Sequence, residues 1–350
     1  MRLSHPERMH GFGFARGLAS ALFLLWLTSC SRRTPASHGE LETLELRCEG
    51  SANVVSLPEL AEDLGFLAPI KLKYMGNNST GGPHSIQSVA SGDLDFGGSF
   101  NGAIVKVVAG KAPIRSVVAA YGTDGLTYTG FFVLADSPIH SARDLIGKTV
   151  SVNTLGAHAE FALRDYLARG GLTPEEAAQV TVLALPPTQS ELSLRKGQVH
   201  VANLQNVFRD YALERGGIRR LFADEEMWGC FNAGSYVMSQ RFIAEHPRVV
   251  RKFVAAVGRA VAWTRQQPRE RVIARMEQII HKRKRHESAS TIKYWKSFGV
   301  ATAHAELTDR EFEMWIGWLT REGQLKPGQV KPGDIYTNAF QPQPGALSAR

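Results

Sequence analysis

Cysteine is almost absent: there are three in 350 residues, at positions 30, 48 and 230. That scarcity excludes a disulfide-rich scaffold, which needs several spaced cysteines. Cys48 and Cys230 either bridge each other or remain free thiols, and neither has organised His and Asn partners that would make it a nucleophile. Long hydrophobic runs are equally scarce. The one apolar segment, 18–27, falls short of the roughly 20 residues that span a bilayer, and no second stretch approaches that length. Acidic residues are outnumbered, 33 against 41 Lys and Arg, but much of the excess sits in His281-Lys282-Arg283-Lys284-Arg285-His286. This run follows Val272, Ile273, Met276, Ile279 and Ile280 at helical spacing. It is therefore expected as the solvated C-terminal end of a helix, where the dipole favours cations, and not as a nucleic-acid patch. No metal and no cofactor are expected.

The apolar segment has Arg2, Arg8 and Arg16 before it and small residues after it, the parts of a secretory signal. Its end, Leu27-Thr28-Ser29-Cys30, resembles a bacterial lipoprotein signal, in which the cysteine is acylated and becomes the new N-terminus. The simpler alternative is cleavage near Ser29 with Cys30 an incidental thiol. Residues 1–29 are thus expected to be a leader. Residues 30–43, with Ser, Arg, Pro and His concentrated in 31–40, are expected to be a flexible tether. The remainder is long enough for two ordinary domains.

From residue 44 onward, short apolar runs alternate with helical periods and helix-start signals, which argues for an α/β fold. Strands are expected at 44–48, 70–75 and 94–98. Ser56-Leu57-Pro58-Glu59 has capping-box spacing for a helix through 64, stopped at Gly65. The turn at 76–83 opens a helix over 84–91, and Ser99 is placed to cap another over 101–109. The second half repeats this order. A strand at 149–153, the turn Thr154-Leu155-Gly156 and a helix at 157–168 come first. Thr173-Pro174-Glu175-Glu176 starts the next helix, 180–185 is a strand, Thr188-Gln189-Ser190-Glu191 is a further capping box, and 199–202 is a strand. Long helices follow Pro247 and lie between 308 and 323. Two similar α/β lobes follow from this arrangement.

Three stretches carry a resemblance: Ser91-Gly92-Asp93-Leu94-Asp95, Ala109-Gly110-Lys111-Ala112-Pro113-Ile114, and the run from Asp136-Ser137-Pro138 to Gly147-Lys148-Thr149-Val150. In order and spacing the chain, over about 44–340, resembles the periplasmic substrate-binding proteins of ABC importers. It is most similar to the sulfonate, nitrate, taurine and thiamine-precursor group (SsuA/THI5-like, or NMT1-like). The ending Tyr336-Thr337-Asn338-Ala339-Phe340 fits as well. Physically these pieces are scaffold: Asp95 is expected to bond turn amides, and 141–144 to cap one short turn. His200 stands where the group usually has an acid, and is expected to supply the turn hydrogen bond.

The resemblance implies a type II periplasmic-binding-protein-like fold with two doubly wound lobes and a two-stranded hinge. The hinge crossings are placed around 130–135 and 231–237. The first lobe would comprise 44–129 plus 231–350 and the second 130–230. It further implies a receptor that is not an enzyme, held in the periplasm or cell envelope by its lipid anchor. As an expected monomer it would deliver a small organic anion or a heterocycle such as a pyrimidine to an ABC permease and its ATPase. One alternative is a cytosolic-type enzyme of the same superfamily, acting in pyrimidine or menaquinone-precursor synthesis, though the pyrimidine synthases carry a cysteine-rich motif that this chain lacks. A sensing domain for a membrane kinase remains the other alternative.

In doubly wound sheets, ligands sit beyond the carboxyl ends of the strands. That selects loops 51–53, 77–81, 99–101 and 121–123 in the first lobe and 154–158, 186–189 and 203–206 in the second. Within them Asn53, Ser79, Thr80, Gly81, Ser99, Asn101, Thr154, Gly156 and Asn203 offer hydroxyl, amide and backbone groups suited to sulfonate or carboxylate oxygens, beside helix-start amides. His84 and His158 lie near helix starts. Tyr128 and Trp228 flank the expected hinge, placed to stack on a flat ring.

Overall fold

A computed structural model describes residues 40–78 and 81–342. The leader, Cys30, Ser79 and Thr80 lie outside the described residues. Ten strands run along the described chain. They are β1 (Glu45–Gly50), β2 (Lys71–Asn77), β3 (Gly97–Phe100), β4 (Ile114–Thr123), β5 (Thr129–Leu134), β6 (Thr149–Val152), β7 (Thr181–Ala184), β8 (Val201–Gln205), β9 (Ile218–Ala223) and β10 (Phe231–Ser239). In the first lobe β1 and β2 pair in parallel, and β3-β10-β4 form a second sheet in which β10 runs antiparallel to both neighbours. The second lobe is one sheet of order β7-β6-β8-β5-β9, parallel across β7-β6-β8 and antiparallel around β5.

The chain leaves the first lobe after Thr123, enters the second at Thr129, and returns between Ala223 and Phe231. The connecting segments are therefore 124–128 and 224–230. The expected crossings fall instead within β5 and β10, whose ladders hold them inside one lobe each.

The helix Pro247–Gln266 buries Val250, Phe253, Val254, Val257 and Val261 against the first lobe, as their spacing predicts. The second lobe has its own core of Phe131, Val133, Val150, Leu163, Leu167, Val201 and Phe222. Phe161 and Val207 belong to the second lobe by sequence, yet pack into the first lobe's core, so the two lobes share a packed seam. No helix among the described residues is long and apolar enough to cross a membrane.

Several local expectations hold. Ser56 and Glu59 form the capping box of Leu57–Asp63, and Asp144 accepts from the amides of His140 and Ser141. Others need correction. His200 does not bond its own turn: its Nδ1 accepts from the amide of Thr149, the first residue of β6, at 3.0 Å. Ser99 lies within β3 and caps nothing; the helix Asn101–Ala109 starts directly from extended Phe100. The helix expected to start at Thr188 begins at Pro187, because that proline's fixed φ already suits the first helical position. Asp95 takes Arg47, accepting from its backbone amide at 2.7 Å and pairing with its guanidinium at 2.6 Å, instead of bonding its own turn. Cys48 and Cys230 are free thiols, one buried and one exposed.

The basic run does end the helix Arg269–Arg283, but it is not simply solvated. Arg283 and Arg285 turn inward onto Glu59, at 2.9 and 2.7 Å, and Arg283 also pairs with Glu287 at 2.5 Å. The buried carboxylates of Glu59, on the helix Leu57–Asp63, and of Glu287, four residues beyond Arg283, demand these counter-charges.

Candidate functional site

A cavity of about 310 Å³ opens at the strand ends, where the lobes meet. Its wall is built from the end of β1 (Cys48, Glu49, Gly50), the loop to the first helix (Ser51, Val54, Val55), Asn78 after β2, and Tyr121 on β4. Phe96 and Tyr236 add aromatic surface from the first lobe. Asn206 and Val207 reach in from the second lobe. Ile292, Trp295, Ser297 and Phe298 cover it from a strap near the C-terminal end.

Local conformation explains why these groups converge. The β1–β2 ladder slips between Cys48, opposite Tyr74, and Gly50, opposite Asn77. Such an irregularity re-aims the side chain between, here Glu49. Asn78 closes its loop by accepting from the Gly81 amide at 2.7 Å and donating to the Gly81 carbonyl at 3.1 Å. Asn206 opens the helix Asn206–Glu214 with φ +50°, a left-handed conformation that asparagine tolerates better than most residues and that often marks a working site.

The strap is tied to the second lobe. Lys296 Nζ lies 3.1 Å from Asp210, the Ser297 hydroxyl 2.9 Å from that of Thr127, and the Tyr294 hydroxyl bonds Glu214. Arg209, fully buried, holds the neighbouring crossing by donating to the carbonyls of Leu126 and Tyr128 at 3.0 and 2.9 Å.

Three groups of the wall are held protonated. Burial, reinforced by the charge of Glu59, pushes the Cys48 thiol up to about 12, and burial likewise raises the phenols of Tyr121 and Tyr236. Cys48 is therefore neutral at physiological pH and is no nucleophile. No histidine lines the cavity, and among the described residues no three His, Cys, Asp or Glu side chains converge as a metal would require. The arrangement can bind and enclose. Its lining hydroxyls include that of Ser56, which donates to Glu59 Oε2 at 2.9 Å within the capping box of the first helix.

The residues singled out in the sequence divide into groups. Loops 51–53, 77–81, 121–123 and 203–206 do contribute to the cavity, through Ser51, Asn78, Tyr121 and Asn206. Asn53 itself turns away, its amide bonding Glu287 at 2.6 Å and its side chain accepting from Ser288. Gly81 and Thr154 touch across the lobe boundary, where a Cβ on Gly81 would stand 2.6 Å from the Thr154 hydroxyl. Gly156, at φ +70°, donates its amide to Glu160. Ser99 and Asn203 are buried near that boundary, with Ser99 Oγ and Asn203 Oδ1 unpartnered, while Asn203 Nδ2 donates to the Gly130 carbonyl. Asn101 is consumed by β10, donating to the Asn232 carbonyl and accepting from Ser235.

The aromatic candidates are occupied by protein. Tyr128 lies under the guanidinium of Arg209, 3.9 Å from its ring centre. Trp228 donates to Asp165 at 2.9 Å and stacks near His158. His158 is buried parallel to Phe100 and 3.1 Å from Asp224, which also accepts from the Thr123 hydroxyl and the Thr129 amide. His84 is exposed. Glu49 and the strap were missed altogether. The one sequence signal for the strap is its density of rings, Tyr294, Trp295 and Phe298, directly after the basic run.

A family model described as NMT1/THI5 like matches residues 60–271, more than half of the chain. This chain belongs to that family. Among curated proteins, a putative aliphatic sulfonates-binding protein of Bacillus subtilis is 24% identical over 56% of this chain and 57% of its own length. The riboflavin-binding protein RibY of Chloroflexus aurantiacus is 25% identical over 66% and 65% respectively. The chain thus spans less than two thirds of the length of these relatives. Among solved structures, the alkanesulfonate-binding protein SsuA from Xanthomonas axonopodis pv. citri, bound to MOPS, superposes with a TM-score of 0.66. That match covers 85% of this chain and 99% of that one at 18% identity, a likeness of fold. The fold is that of periplasmic binding proteins: two α/β lobes joined by two crossings.

Proposed function

We propose that this protein is an extracytoplasmic solute receptor that captures a small, flat organic ligand between its lobes and delivers it to an ABC permease and its ATPase. The observation that carries the reading is the cavity itself, lined by strand ends of the first lobe, by Asn206 and Val207 of the second, and by aromatic rings suited to a flat solute. Family membership and the names of its relatives, a sulfonate-binding and a riboflavin-binding protein, support binding over catalysis. Two connecting segments are the minimum for a hinge that closes over a ligand, and the closed form is what a permease would read.

The direct test is a thermal-shift screen of the purified protein against alkanesulfonates, nitrate, aromatic carboxylates, pyrimidines and flavins. A ligand at a hundred times its dissociation constant stabilises by about 2.7 kcal/mol. Turnover of a screened compound, with no compound raising the melting temperature, sinks the receptor reading.

The anchor is part of the same proposal. Cys30, after Leu27-Thr28-Ser29, is the acylated residue that holds the receptor at the membrane. Cys30→Ser should move the protein from the membrane fraction to the soluble fraction of cells. Unchanged membrane association of that variant would remove the anchor from the model.

A further inference from the structure

We propose that Glu49 and Trp295 are specificity-determining residues of the cavity, and that they select a flat aromatic cation, a ring bearing an amidine or protonated amine, over an anion. The inference rests on the receptor reading above. Both side chains line the cavity, and each carries a buried polar atom without a hydrogen-bond partner, Glu49 Oε2 and Trp295 Nε1. A buried carboxylate oxygen and a buried indole N–H left unmatched in the free protein are costly unless a ligand completes them.

Among the residues that line the cavity, Glu49 is the one Asp, Glu, Lys or Arg. No Lys or Arg lines the cavity. The two arginines packed behind it, Arg283 and Arg285, are committed to Glu59 and Glu287, which leaves the Glu49 carboxylate without a counter-ion within salt-bridge distance. An anion entering here would meet that half-buried carboxylate, whereas an amidinium would form charge-assisted hydrogen bonds with it. The rings of Phe96, Tyr121, Tyr236, Trp295 and Phe298 act in the same direction, because aromatic faces attract cations. Trp295 Nε1–H, a donor only, asks for an acceptor elsewhere on the ligand, such as a ring nitrogen or a hydroxyl oxygen.

The test is isothermal titration calorimetry of the purified protein with 4-hydroxybenzamidine and with 4-hydroxybenzenesulfonate, two flat probes of similar size and opposite charge. The amidine is expected to bind and the sulfonate not to. Glu49→Gln should weaken the amidine at least about tenfold, and Trp295→Phe should weaken it by a smaller factor. Because Glu49 Oε2 has no partner to lose, Glu49→Gln should melt no lower than the parent protein. Tighter binding of the sulfonate, amidine affinity within twofold in Glu49→Gln, no binding of the amidine, or a lowered melting temperature in that variant would each overturn the assignment. None of these touches the receptor reading, which stands or falls on the wider ligand screen.

Discussion

Two clusters of aromatic rings lie along the boundary between the lobes, and they are put to opposite uses. In one, Phe100, His158, Phe161, Trp228, Phe231, Trp315 and Trp318 fill their own space, with neighbouring ring centres 4.5–6.0 Å apart. In the other, Phe96, Tyr121, Tyr236, Trp295 and Phe298 surround an opening of about 310 Å³. The supports differ too. The filled seam is held chiefly by ring packing, with Trp228 on Asp165 and His158 beside Asp224 at its margin, whereas the rim of the cavity is held by ion pairs: Glu59 with Arg283 and Arg285, Glu287 with Arg283, and Lys296 with Asp210. Packed rings resist displacement because every contact is lost at once. On the rim, Lys296 with Asp210 is partly exposed and exchanges with water at small net cost, whereas Arg283 with Glu59 and Glu287 is buried and is held by charge. The contrast is between a seam held by packing and a rim held by charge.

The sharpest way to break this comparison is to empty the seam. Trp315 is fully buried and meets Phe100, Phe161 and Trp228 edge-on. Trp315→Ala should cost about 3–5 kcal/mol of stability, read as a large drop in urea midpoint with an unchanged slope. Ligand affinity, measured under conditions where the variant stays folded, should change little, because Trp315 does not line the cavity. A variant that keeps its stability but loses binding would exchange the roles of the two clusters.

Which aromatic group would be filled and which open was not legible in the sequence. Trp228 and Tyr128 sit where a stacking residue is expected, but their faces are taken by His158 and Arg209, neighbours supplied by tertiary packing. Of the loops chosen by the strand-end rule, four supply residues to the cavity, Ser51, Asn78, Tyr121 and Asn206, and none of these is among the residues singled out within them. The same rule could not find Trp295, which arrives from the far end of the chain on a strap positioned by helix packing. It also could not show that Arg283 and Arg285 turn inward, since their partner Glu59 lies more than two hundred residues away and the local pattern only marks a helix end. Helix boundaries failed where local options competed: Pro187 took the start that Thr188 would have capped. The α/β alternation and the buried face of Pro247–Gln266 were readable because apolar periodicity records burial directly.

A smaller effect sharpens the contrast from the rim. Glu287 accepts from the Asn53 amide at 2.6 Å and pairs with Arg283, joining the loop at the cavity floor to the base of the strap. Burial works against its charge, but the hydrogen bonds from Arg283 and Asn53 and the charge of Arg285 outweigh it, holding the carboxyl below its ordinary value near 4.5. A carboxyl lowered in the folded state contributes stability that is fully present above its unfolded value and is lost as pH falls through the folded one. Glu287→Gln should therefore cost about 1 kcal/mol at pH 7, and the gap between variant and parent should close as the pH is taken below about 4. Thermal melts of both proteins from pH 7 to pH 3 measure it. The Trp315→Ala deficit should persist across the same range, because ring packing carries no proton. If the Glu287→Gln gap is as large at pH 3 as at pH 7, the rim is held by shape, as the seam is, and the division between a packed seam and a charge-held rim is lost.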